Sequence, residues 1–323
     1  MIGALRKPSG LIYAAAILLL ITAPIGISIL DQSFYLDVLT RILILTIAVV
    51  SLNLIVGYGG MISLGHAAYL GIGAYSVGIP SYYEIFNGYI HLGLAIGSSA
   101  LFALVTGVIC LRTRGLYFIL ITLAFTQMLY FTFVSIEEYG ADDGLVIYQR
   151  SEFGGFIDIE NANTLYYAVL VVLLLSLYLM HRLIHARYGK VLFGSKHNDE
   201  RMQALGYDTY QYKLSCYVIS GALCGVAGFF LGNFTNYISP EMMDWTHSGE
   251  LIFMMVIGGA GAVLGPVLGT ATFLFLEELL SSITVYWHLI FGLLLIALVM
   301  FGKGGLHGLL TLMDRRWGKP DDA

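Results

Sequence analysis

Apolar runs of about 20 residues recur along the whole chain, each long enough to cross roughly 30 Å of hydrocarbon. They fall at roughly 11–30, 38–57, 59–80, 90–111, 115–136, 163–182, 212–234, 248–262, 264–281 and 284–302. Water is absent from the bilayer core, so backbone groups there must bond within the protein, and only helices and closed barrels achieve that. A barrel would show alternating segments of about 10 residues, which this sequence lacks. The chain therefore reads as all-α: a polytopic integral membrane protein of about ten transmembrane or re-entrant helices, with residues 1–323 forming one domain. Only 11% of residues are charged, against about 25% in soluble domains. The run from Leu11 to Leu30 exceeds the roughly 7–15 residues of a signal-peptide core and reads as a retained first span. The eighth segment is short and glycine-interrupted, and both spanning and re-entrant readings stay open for it.

Charge sets the orientation. Of 16 Lys and Arg, all but Arg41 and Arg150 fall on one side of the ten-segment arrangement. By the positive-inside rule that side is cytoplasmic, and both termini belong to it. The external loop at about 137–163 is acidic; the cytoplasmic loop at about 183–212 is basic. Within the latter, Asn198 to Gly206 carries start and stop signals of a short helix. Asn198 suits the N-cap, Asp199 and Glu200 suit the positive helix end, and Gly206 sits at the C′ position. Met202 and Leu205 give it one small apolar face. Two turns are marginal in isolation, so this helix is expected to rest on its own bundle or on a partner.

The stretch Gly57 to Tyr75, GYGGMISLGHAAYLGIGAY, carries six glycines in an apolar setting. Membrane helices associate through close packing of small residues. Ser63, Ala67, Gly71, Ala74 and Gly78 form a smooth stripe on one face, which fits either the lining of a path or a tight packing seam. The polar residues within the spans are mild. Asn53, Ser63, His66, Tyr75, Thr122 and Gln127 are the candidates for a weakly polar path. Thr122 and Thr126, four apart, equally suit bonds to carbonyls one turn back. His66 stands out because an ionisable group at membrane depth points to function.

Chemistry is otherwise sparse. There is no intramembrane carboxylate pair suited to ion coupling, and Glu277-Glu278 reads as a marker of the outer membrane surface. Asp142-Asp143 reads as a turn between glycines. No phosphate-binding G-x-x-x-x-G-K-[ST] loop exists, so any ATP must be bound by another chain. His181 and His185 read as a surface pair, and Cys110, Cys216 and Cys224 show no disulfide or metal spacing. No catalytic residue, metal or cofactor is expected.

Four stretches in order carry a family resemblance: Ser51 to Leu54 leading into the glycine-rich segment, RGLYFILITLAFTQ from Arg114, NDERMQALGYDTYQYKLSCYVISGALCGVAGFF from Asn198, and VIGGAGAVLGPVLGT from Val256. With these, the chain resembles the M-type permease subunits of branched-chain amino acid ABC importers over about Arg41 to Leu310. The resemblance implies a non-enzymatic subunit in a bacterial inner membrane. Its implied partners are a second related permease, two ATP-binding subunits, a periplasmic or extracellular solute-binding protein and membrane lipid, with no nucleic acid. It also implies that the short helix docks on the ATPase through Asp199, Arg201, Met202, Leu205 and Gly206. Arg201 and Met202 stand where that family usually has small residues, His197 where it has Glu, and Lys303 where it has Pro. Glu138-Tyr139-Gly140 replaces its Thr-Gly-Gly run. The alternative is a stand-alone secondary transporter or channel, whose broken helices would form a midplane site.

Overall fold

The computed structural model describes residues 20–24, 33–154, 158–301 and 304–308. Most of the expected first span, 11–30, both chain ends and Lys303 lie outside the described residues. The fold is built from helices α1 (Ser33–Asn53), α2 (His66–Tyr82), α3 (Gly88–Cys110), α4 (Leu116–Val134), α5 (Ala162–His185), α6 (Arg187–His197), α7 (Asp199–Ala204), α8 (Thr209–Thr235), α9 (Trp245–Gly258), α10 (Gly265–Ile283) and α11 (Trp287–Phe301). Two short strands, β1 (Leu145–Val146) and β2 (Tyr237–Ile238), pair antiparallel with Leu145 opposite Ile238. Among the described residues six helices are long and apolar enough to cross a membrane: α1 with the turn after it, α3, α4, α5, α8 and α10. The chain is an all-α polytopic membrane protein. Helices α2, α9 and α11 are shorter, at 17, 14 and 15 residues.

Helix α8 is the central post. Its 27 residues span about 40 Å, and α1, α2 and α3 all pack on it. Glycine makes that contact possible. A Cβ on Gly73 would overlap the backbone carbonyl of Gly225, and one on Gly228 would overlap that of Leu70. Backbones approach this closely where small residues replace hydrophobic exclusion as the basis of association.

Helix α1 does not end cleanly. It widens into a π turn, Leu54–Tyr58, and Gly60 takes φ +69° before the chain resumes as α2. Irregular backbone at this depth survives only if its polar groups find partners inside the protein. They do: the Leu64 N–H donates to Thr122 Oγ1 at 3.2 Å, and Thr126 Oγ1 donates to the Leu64 carbonyl at 3.2 Å. A second break, Gly259 to Leu264 between α9 and α10, lies against the first. Asn53 joins them, its Oδ1 accepting from the Gly261 N–H and its Nδ2 donating to the Ala262 carbonyl, each at 2.8 Å.

The two basic residues that fall outside the basic end each have a partner. Arg41 pairs with Glu277 at 3.5 Å. Arg150 donates to Asn236 Oδ1 and to the carbonyls of Ile159 and Glu160, tying the 137–163 loop to the end of α8. Ala141–Asp143 forms a 3-10 turn between Gly140 and Gly144, both at positive φ, as the glycine spacing predicts.

Candidate functional site

The short helix expected at the basic end is present as α7. Asn198 is extended (φ −155°, ψ 99°) and its side chain accepts from the Arg201 N–H at 2.9 Å. At the other end the Gly206 N–H donates to the Gln203 carbonyl and the Tyr207 N–H to that of Met202. Gly206 takes φ +88°, a conformation that costs an L side chain about 1–2 kcal/mol.

Asp199 anchors α7 to the bundle. Its Oδ1 accepts from Lys213 Nζ of α8 at 2.8 Å, and its Oδ2 accepts from Arg114 just before α4 at 2.9 Å. Burial raises the Asp199 pKa, but hydrogen bonds from Lys213 and Thr209 and the charges of Lys213 and Arg114 outweigh it, so the carboxyl sits below its usual range. Met202 also turns inward, against Gly194 of α6. Leu205 turns outward and is 67% exposed, and Arg201 and Gly206 are exposed with it. The apolar pair Met202 and Leu205 is thus divided, one side chain on the bundle and one facing away. Tyr207 and Phe193 are exposed apolar neighbours in sequence that the helical pattern of α7 alone does not single out.

Behind α7 lies α6, a basic helix that carries no membrane-length apolar run. Its Lys196 donates to the Gly57 carbonyl at 2.7 Å, so the loop bearing α7 touches the π turn of the first long helix. The turn at 59–62, the α3–α4 connection and the stretch from Ser195 to Lys213 line an open-sided cavity of about 360 Å³, walled in part by Arg114, Lys196, Asp199 and Lys213.

None of the six path candidates lines that cavity. Asn53, Ser63, His66, Tyr75 and Thr122 are buried, and Gln127 is partly buried. Ser63 and Thr122 flank Gly65. His66 Nε2 and Ser220 Oγ are hydrogen-bonded at 3.0 Å, and Ser220 donates to the Ser51 carbonyl. Tyr75 stacks on Phe133 with ring centres 4.3 Å apart. Gln127 donates to Asp244 Oδ1 at 2.7 Å, an N-cap 117 residues away. The expected small-residue stripe is interrupted, because Ser63 falls in the irregular stretch before α2, and on α2 it is covered: Gly71 faces Met243, and Gly78 faces Ile238 and Leu145. Of the six, Ser63 and Thr122 are brought together at Gly65, and the others are held at separate contacts within the bundle. His181 and His185 stack at the end of α5, 4.1 Å between ring centres. No group of three or more His, Cys, Asp or Glu placed to hold a metal occurs among the described residues.

Residues 34–299 match the family model described as the branched-chain amino acid transport system / permease component. The chain is similar to the high-affinity branched-chain amino acid transport system permease protein LivM of Salmonella typhimurium, 25% identical over 293 residues, covering 84% of this chain and 69% of the relative. The Escherichia coli K12 protein of the same name is 24% identical over the same shares. A probable branched-chain amino acid transport permease protein LivH of Methanocaldococcus jannaschii is 30% identical over 154 residues, 43% of this chain and 46% of the relative. No solved structure matches the chain. With a family model spanning most of its length, the chain belongs to the permease components of branched-chain amino acid transport systems.

Proposed function

We propose that this chain is one of two related membrane subunits of an ATP-driven importer for branched-chain amino acids or a similar small polar solute. Two ATP-binding subunits and a solute-binding protein complete it, and ATP hydrolysis belongs to the former. The basic end is cytoplasmic, as are both termini, in a bacterial inner membrane. Helices α2, α9 and α11 join the six longer helices as shorter membrane segments.

The observation that carries the reading is the division of labour in α7. Asp199 and Met202 hold the helix from behind, while Leu205, Arg201 and Gly206 face away from the bundle. A two-turn helix with an unused apolar residue is a knob suited to a groove on another protein. The ATP-binding subunit is the partner expected there. A push on α7 reaches the membrane region by two routes: Asp199 to Lys213 and α8, and Lys196 to the π turn at Gly57. The bundle is then a two-state element that nucleotide biases from one side and the loaded binding protein from the other. The buried Asn53, Ser63, His66, Tyr75 and Thr122 and the partly buried Gln127 shift as those states exchange, and the path opens beside them against the second permease.

The test is mass spectrometry of what co-purifies with the tagged chain from its native membrane in mild detergent. Recovery of nucleotide-binding chains and a second permease supports the importer. A stable chain recovered alone, driving solute uptake on an ion gradient, replaces it with a secondary transporter.

A further inference from the structure

The cavity beside α7 has a wall of two characters. Arg114, Lys196 and Lys213 bring three positive charges to it, and Asp199 brings one carboxylate. Both oxygens of Asp199 are engaged, by Lys213 and by Arg114, and among the described residues Lys196 is bonded only to the Gly57 carbonyl, which carries no charge. Among the described lining residues, two positive charges thus stay in excess at the wall. Donors are left over as well, since an ammonium has three and a guanidinium five. The lining also includes Ile62, Phe118 and Ile119, apolar surface that favours a hydrocarbon group over a hydrated inorganic ion. A volume of about 360 Å³ falls at the small end of ligand sites, roughly 300–1,000 Å³.

From this wall we infer that the cavity binds a small carboxylate bearing a short aliphatic chain. The carboxylate meets the basic side chains, and the chain lies on Ile62 and Ile119. Two sources share this chemistry: a branched-chain amino acid, whose ammonium would turn to Asp199, and the 2-oxo acid formed when its amino group is removed. An occupant touches both the 59–62 turn, which continues into α2, and α7. It therefore resists relative motion of the two and slows transport from the cytoplasmic side. That consequence rests on the importer reading above; the binding does not.

The test uses the full chain in lipid nanodiscs, without any solute-binding protein, and measures equilibrium binding of labelled leucine and of 4-methyl-2-oxopentanoate. Saturable binding of one or both is expected, with mutual competition and no competition from leucinol, which lacks the carboxylate. Ile119→Trp, which fills the apolar half, and Arg114→Gln each weaken it at least about tenfold, equivalent to about 1.4 kcal/mol. Tighter binding of the 2-oxo acid assigns the site to the anion; tighter binding of leucine assigns it to the zwitterion. No saturable binding to the wild-type chain overturns the proposal, whatever the variants do. So does displacement by inorganic phosphate as effective as by the carboxylates, or full binding by folded Ile119→Trp. Failure of the importer reading looks different: binding persists, but the reconstituted complex takes up no branched-chain amino acid on ATP.

Discussion

Asn53 closes the gap between two broken helices: its Oδ1 accepts from the Gly261 N–H at 2.8 Å, 208 residues further along the chain. The same side chain donates to the Ala262 carbonyl, and Asn53 itself is fully buried. Asn53→Ala strands both backbone groups away from water, at about 1–3 kcal/mol for each buried unsatisfied group. The expected outcome is a loss of about 3 kcal/mol, read as a markedly lower unfolding midpoint in detergent. An unchanged midpoint would show that the two breaks are held by something else.

The α2–α8 contact leaves no room for a side chain. Gly73→Val drives a branched side chain into the Gly225 carbonyl, backbone that cannot step aside. Overpacking of this kind costs about 1–3 kcal/mol or more, and the monodisperse yield from membranes is expected to collapse. Gly93→Ala and Gly97→Ala on α3, where an added Cβ meets nothing, are the controls and leave the yield intact. Equal yields for all three variants would contradict the close approach.

These cases show how much was legible in the sequence. The apolar runs are local features, and so are the caps of α7, so Asn198 and Gly206 fall where pattern and cap chemistry put them. Helix α6 was not legible, because Arg187–His197 is polar on average and sits in a loop already explained by its charge. Nor was the role of Asp199: its sequence position at a helix start is equally suited to facing a partner, and only the approach of Arg114 and Lys213 turns it inward. The Asn53 clamp, the Gln127–Asp244 bond and the cavity each join segments far apart in the chain, and no periodicity reports such pairings. The small-residue stripe was legible as a face, but what covers it, Met243 and Ile238, comes from the α8–α9 connection, distant in sequence.

Asp199 carries a pH signature. Its carboxyl titrates below the usual range in the folded chain, so the unfolded state binds the proton more readily. Stability from this group is complete above the ordinary aspartate value of about 3.9 and is lost as pH falls through the lower folded value. Hydrogen-exchange protection of residues 198–206, corrected for intrinsic rate, is expected to hold steady from about pH 8 to 5 and to fall only in stronger acid. Asp199→Asn loses the anchoring at neutral pH, by about 1–2 kcal/mol. Protection that declines with the titration of a histidine instead would contradict this assignment.

Gly206 supplies the stop. A Cβ there meets no atom, so the cost of Gly206→Val is purely conformational, about 1–2 kcal/mol for the left-handed backbone. Fraying of α7, seen as faster exchange at Tyr207 and Leu205, is the expected result. Gly206→Asn, which tolerates that conformation better, is expected to fray less. If valine and asparagine behave alike, the cap is not what ends the helix.

Leu205, the residue that ends α7, is proposed to meet an ATP-binding subunit. The native cysteines Cys110, Cys216 and Cys224 are all buried, so a Leu205→Cys variant offers one accessible thiol for a membrane-impermeant maleimide. Rapid labelling is expected in the chain purified alone and strong protection in the complex with its ATP-binding subunits, with cross-linking to one of them by a short bifunctional reagent. Equal labelling in both, with no cross-link, would contradict it.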